Sequence, residues 1–266
     1  MGFRVLALLG FFTIILTALG MLIGYILLGT EGAIFLGQLF LILSLILNVV
    51  ARFSSSRLIL RRYNARMSKN KELNDMVDRM AVNAKIPTPK VYILPIDIPN
   101  SFSTGRNAKG ASLCVTEGLL NLNKGEIESV VAHEIWHIAN KDIMIQSVTA
   151  VIANFMRYTV VLFPFAVFIT RIAISRKREY KADYFGTLFA KKPKDMASAL
   201  NKINDVVRNN PMKGSPAFEC IWIVNPFKRA RLSGMFSTHP PTARRAMRVE
   251  EMDHEGMPEH PEATEV

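Results

Sequence analysis

The sequence predicts a mainly α integral membrane protein, in which two apolar helices at the N-terminus precede a mixed α+β part. Three observations predict it: a charge-free run from Val5 to Leu28, a second from Ala33 to Ala51, and a dense basic segment behind them. A membrane-spanning helix needs about 20 apolar residues, and both runs are close to or above that length. The first has no small-residue cleavage site after Leu28, so it reads as a spanning helix rather than a secretory leader. Gly29, Thr30, Glu31 and Gly32 form the turn between them, and residues 1–51 are expected to be a transmembrane hairpin. Gln38, Ser44 and Asn48 are expected to hydrogen-bond to the neighbouring helix.

The basic segment holds Arg52, Arg57, Arg61, Arg62, Arg66, Lys69 and Lys71 before the first acid, Glu72. Of the whole chain, 33 residues are Lys or Arg and 22 are Asp or Glu, a formal charge of +11, with 50% hydrophobic residues. Such a composition excludes a disordered chain, which needs low hydrophobicity. Because the cations abut an apolar run, they anchor to anionic lipid on the cytoplasmic side, and no nucleic-acid partner is expected. Cys114 and Cys220 are far apart and lack CxxC spacing, which excludes a thiolate metal site and a disulfide framework.

Residues 52–142 carry the basic flank and the first part of a soluble unit. Leu73, Met76, Val77, Met80 and Ala81 give one apolar stripe, so residues 72–84 are expected to be a core-packing helix ended by Pro87 and Pro89. Val91 to Leu94 and Ser112 to Val115 read as strands, separated by a glycine-containing turn over Ser103 to Gly110. Asn123 and Glu126 form a capping-box signal that opens a helix to about Ala139.

That helix contains His133, Glu134, Ile135, Trp136 and His137, an HExxH pattern. Histidines four apart share a helical face and can hold one zinc ion, and the glutamate beside the first can reach a water on that metal. A catalytic zinc takes three protein ligands, so a third is expected downstream. Glu179 and Asp183, one turn apart, read either as a ligand with a supporting carboxylate or as an exposed acidic face among lysines. Between them and the motif lies an apolar stretch, 143–174, interrupted by Arg157 and Arg171, which either crosses the membrane as a short hairpin or lies at its interface.

The motif helix with Asn140 and Asp142, then Arg178-Glu179-Tyr180-Lys181-Ala182-Asp183, then Ser237-Thr238-His239-Pro240-Pro241 with Arg245, resembles the HtpX family of membrane-bound zinc metalloproteases. Asn100-Ser101-Phe102-Ser103-Thr104-Gly105, the Gly118-Leu119-Leu120 segment and the apolar hairpin are also similar to that family, up to about residue 250. Trp136 stands where the family usually carries a small residue. The resemblance implies a zincin-like α+β protease domain of the gluzincin type with a small edge-exposed sheet, built from 52–142 and 175–249. It implies one zinc ion on His133, His137 and Glu179, with Glu134 as general base and Asp183 orienting a ligand histidine. It further implies stress-related quality control of misfolded or damaged membrane proteins at the cytoplasmic face of the cell membrane.

Hydrolysis leaves an oxyanion that needs further donors, and His239 is either that stabiliser, a transient fourth ligand, or a turn histidine packing the C-terminal helix. Arg245 is expected to be structural. Ser112, Leu113, Cys114 and Val115 are expected to be an edge strand to which an extended polypeptide substrate adds. A prenyl-peptide protease of the CAAX type and a non-catalytic, zinc-stabilised membrane scaffold are the alternatives. Beyond Arg248 only acidic charges occur, and 250–266 is expected to be a solvated tail.

Overall fold

A computed structural model describes residues 2–157, 162, 165, 175–227 and 239–255. The second half of the apolar stretch, 159–170, falls almost wholly outside the described residues, as do Ser237, Thr238 and the tail beyond 255.

Helix α1, Phe3–Arg62, contains both apolar runs. Sixty helical residues would make a rod of about 90 Å, but the backbone leaves helical geometry at Gly29, with φ 68° and ψ −151°. Only glycine adopts such a conformation without steric cost. The halves on either side touch: Asn48 Nδ2 donates to Leu9 O at 3.2 Å and to Thr13 Oγ1 at 2.8 Å. A Cβ on Gly24 would fall 2.1 Å from Gly32 O, so the contact depends on small residues. Ser44, expected to bond across, instead donates to Leu41 O of its own turn at 2.7 Å.

Strand β1, Arg66–Met67, leads into α2, Lys71–Asn83, capped by Asn70, whose side chain accepts from Leu73 N. Strands β2, Lys90–Leu94, β3, Ser101–Thr104, and β4, Ser112–Thr116, complete a mixed sheet in the order β1-β2-β4-β3. β2 and β4 are parallel, and the outer pairs are antiparallel.

The segment read as a turn from Ser103 is strand as far as Thr104, and the chain reverses only after Gly105. Ser112 to Val115 do not form an edge: β4 is paired on both sides and buried along its whole length. The physical reason is that β4 serves two cores. Leu113 and Val115 pack with α2 and the motif helix, while Cys114, on the other face, joins Phe102 and residues of α1. Its backbone hydrogen bonds are taken by β2 on one side and by β3 on the other, so no edge is left to which a further strand could add.

Behind the sheet run α3, Lys124–Ala139, α4, Asp142–Met156, α5, Arg176–Ala190, α6, Pro193–Asn209, and α7, Thr242–Glu255. Asn123 N–H donates to Glu126 Oε2 at 3.0 Å, the reciprocal half of the capping box that starts α3. Val5, Leu8, Phe12 and Leu16 of α1 share a core with Met144, Val148, Ile152 and Met156 of α4.

Candidate active site

Helix α3 is buried almost all round from Ser129 to Ile138, because α5 packs directly on it. Gly186 permits the approach: a Cβ there would sit 2.8 Å from His133 N. Trp136 is accommodated at the side of the same contact, its ring stacked on Phe185 with centroids 5.9 Å apart and 8° between planes. A large residue at this position therefore does not hold α5 away.

The crossing brings His133, His137 and Glu179 together, with candidate ligand atoms all within 4.8 Å of one another. The two Nε2 atoms are 3.2 Å apart, and Glu179 Oε1 lies 3.5 Å from His137 Nε2. The far nitrogen of each imidazole faces a carboxylate. His133 Nδ1 is 3.0 Å from Asp183 Oδ1, and His137 Nδ1 is 3.2 Å from Asp142 Oδ2. Lys141, at φ 61°, turns the chain between α3 and α4 so that Asp142 comes back beneath His137. Asp142 is held in turn by Asn140 Nδ2 at 3.0 Å and Arg178 Nη1 at 2.7 Å.

With a proton on each Nδ1, on the side of its carboxylate, both Nε2 lone pairs point into one space; the His137–Asp142 contact is a hydrogen bond, and the His133–Asp183 contact is close without that alignment. Two lone pairs at that distance repel, and Glu179 Oε2 has no hydrogen-bond partner among the described residues. The arrangement calls for a cation, and two imidazoles with one carboxylate suit a divalent transition metal. The protonation equilibria agree. Burial disfavours charge on His137, but Asp142 and Glu179 outweigh it and push its pKa up to about 9. His133, also buried and with His137 beside it, is pushed down to about 3. Burial raises Glu179 to about 7 against the attraction of His137 and Arg245. A proton thus takes up part of the positive charge that the donors seek.

Asp183 is held by Arg245 as well. Nε and Nη2 of that guanidinium each donate at 2.7 Å, a bidentate pair at 1% exposure of the arginine. Burial alone would raise the Asp183 carboxyl, but Arg245 and the His133 contact bring it well below the usual carboxylate range. Arg245 Nη1 also donates to Ile223 O and lies 3.6 Å from Glu179 Oε2. His239 is buried, with Nε2 3.6 Å from the same Glu179 oxygen. Glu134 points towards β3, where Ser101 Oγ and Ser103 Oγ donate to its two oxygens at 2.7 Å and 2.8 Å.

The sequence profile described as Peptidase family M48 matches residues 67–253, which contain all of these groups. The chain belongs to peptidase family M48. It is 39% identical over 267 residues to a protein named Protease HtpX homolog from Pyrococcus abyssi, covering 88% of this chain and 91% of that one. A protein of the same name from Salinibacter ruber is 36% identical over 277 residues, covering 94% and 97%. The crystal structure of S. mikatae Ste24p superposes with a TM-score of 0.48 at 16% identity, covering 80% of this chain and 57% of that one. As an M48 protein the chain is a metalloprotease, a hydrolase of peptide bonds.

Among the M48 residues, sequence reasoning attached no role to Asp142, Ser101 or Ser103 and left Arg245 as structural. Asp142 is five residues beyond His137, outside the one-turn spacing by which helical partners are found, so no periodicity points to it. The serines lie in a different element from the base they bond. Their signal is two small polar residues at alternate positions of a strand that the structure buries completely.

Proposed function

We propose that this M48 chain is a membrane-anchored zinc endopeptidase that cleaves misfolded or damaged membrane proteins at the cytoplasmic face. The observation that carries it is the convergence of His133, His137 and Glu179 on one space, with a carboxylate behind each histidine. Zinc is the metal these ligands suit best, a set of two imidazoles and one carboxylate that leaves room for a water. Zinc bound there supplies Lewis acidity, which polarises the scissile carbonyl and acidifies the attacking water.

Burial raises the carboxyl pKa of Glu134, beside His133, and the Ser101 and Ser103 hydroxyls counter part of that rise; Glu134 takes the proton from that water and returns it to the leaving amine. Asp183 and Asp142 fix the ring orientations of His133 and His137 and keep their Nε2 lone pairs directed at the metal. His239 approaches Glu179 on the side of the cluster reached by Arg245, and there it stabilises the oxyanion.

The halves of α1 on either side of Gly29 are the two spans of a membrane hairpin. Phe3, Ile14, Ile26, Leu28 and Phe35 of α1 are each more than half exposed, a surface suited to lipid and costly in water. Arg52 to Arg66 then lie at the anionic headgroups, which sets the protease domain against the cytoplasmic leaflet and gives it access to proteins emerging from the bilayer.

The test is Glu134→Gln in purified full-length protein. Zinc content should stay at one per chain while cleavage of casein falls by about 10²–10⁴-fold, the usual worth of a general base. Chelation should stop the unmodified protein, and zinc should restore it. A variant that keeps full activity overturns the assigned role. Unmodified protein that holds zinc yet leaves casein and misfolded membrane proteins intact would point to a scaffold.

A further inference from the structure

We propose that Ser101 and Ser103 are positioning residues for the reaction, holding the Glu134 carboxylate by both its oxygens. The inference rests on Glu134 being the general base, and it concerns what keeps that base in place.

Alternation along a strand sends the side chains of residues 101 and 103 to one side and those of 102 and 104 to the other. On the first side lies α3, with Glu134, and on the second lie Trp222 and α4. Ser101 is fully buried and Ser103 is 1% exposed, so neither hydroxyl has water as an alternative partner. Each donates to a different oxygen, Ser101 to Oε1 at 2.7 Å and Ser103 to Oε2 at 2.8 Å. An ionised carboxylate only accepts, and a hydroxyl has one proton to give, so the two serines supply a matched pair of donors. Turning the carboxylate about its terminal bond breaks both bonds at once.

The strand that carries the donors is itself fixed. Phe102, between the serines, packs edge-on against Trp222 at 4.8 Å and at a tilt of 53° against Tyr63, the cap of α1, at 5.7 Å. Thr104 shares a hydrogen bond of 2.7 Å with Ser147 of α4. Ser101 O accepts from Ile223 N at 3.1 Å. The register of β3 is thereby pinned on both sides of the pair, and the hydroxyls cannot slide away from Glu134. This construction answers a specific need: a general base works at hydrogen-bond range of the proton it takes, and small misplacement is costly.

The experiment compares full-length zinc-loaded protein with Ser101→Ala/Ser103→Ala, with Ser101→Thr/Ser103→Thr, and with Ser103→Cys. The double alanine variant should lose about 10- to 100-fold in kcat, with KM and zinc content unchanged. In its crystal structure the Glu134 carboxylate should occupy more than one orientation. Threonine, which keeps the hydroxyl, should restore most of kcat. Cysteine keeps the volume but donates weakly, so it should fall with alanine and keeps the test readable if alanine loosens the strand. Full kcat in the alanine variant, a loss that follows zinc content, or equal loss in the threonine variant overturns the proposal. If unmodified protein holds zinc but cleaves nothing, the protease reading fails instead, and the crystallographic orientation of Glu134 still decides whether the serines hold it.

Discussion

Helix α1 and the metal-binding cluster satisfy opposite requirements. In α1 many large apolar side chains, such as Ile14, Ile26 and Phe35, face outward while one side packs on α4, and the polar Asn48 finds partners in the other half of the same element. In the cluster the ionisable groups face inward: His133, Glu134, His137, Glu179, Asp183 and Arg245 are all at most 3% exposed. A buried charge is tolerated only with a partner, so each one there has a neighbour of opposite sign or a donor. The difference teaches where the free energy at stake is concentrated. Removing one charge from the cluster strands another, whereas a polar group lost from α1 leaves no charge without its partner.

The comparison can be broken most directly at Asp183. Asp183→Asn deprives buried Arg245 of its bidentate countercharge and leaves only the longer Glu179 contact, and unfolding in denaturant should show a loss of about 3–5 kcal/mol. A loss below 1 kcal/mol would mean that the cluster is no more demanding than the helix.

A pH series sharpens the same contrast. Below about pH 9 His137 carries a proton in the metal-free protein, and the metal needs its neutral form, so one proton leaves as zinc binds. Zinc affinity measured by calorimetry should therefore rise about tenfold per pH unit between pH 7 and 9. Below about pH 7 Glu179 is protonated too, and the dependence should steepen towards a hundredfold per unit. An affinity flat across this range would remove the proton from the cluster's charge balance.

The smallest effect belongs to α1. Asn48→Leu deletes the hydrogen bonds to Leu9 O and Thr13 Oγ1, and unfolding in detergent or bilayer should show about 0.6 kcal/mol, typical of such bonds in membranes. A loss as large as that of the Asp183 variant would show that the two halves depend on this polar contact rather than on close packing at Gly24 and Gly32.

The features legible in the sequence were those written within one helical turn or one uninterrupted run. The capped helix carrying His133, Glu134 and His137 could be placed from its cap and spacing alone, and so could α2 from its apolar stripe. Glu179 and Asp183 could be found as a one-turn pair but not told apart from a solvated acidic face until α5 was seen lying on α3. The sheet was harder. A run such as Ser112 to Val115 reads as a strand from its composition, but nothing in it says whether one side or both sides will be paired, and the structure makes it central.

By itself the sequence determined the apolar runs, the basic segment behind them and the HExxH helix, because each depends on the chemistry of neighbours a few residues apart. Tertiary structure alone decided which groups stand behind that chemistry. Asp183 is brought to His133, Arg245 to Asp183 and two serines to Glu134 across separations of 31 to 62 residues. No local period encodes contacts of that range. They exist because Gly186 lets two helices approach and because a pinned strand directs alternate side chains to the same face.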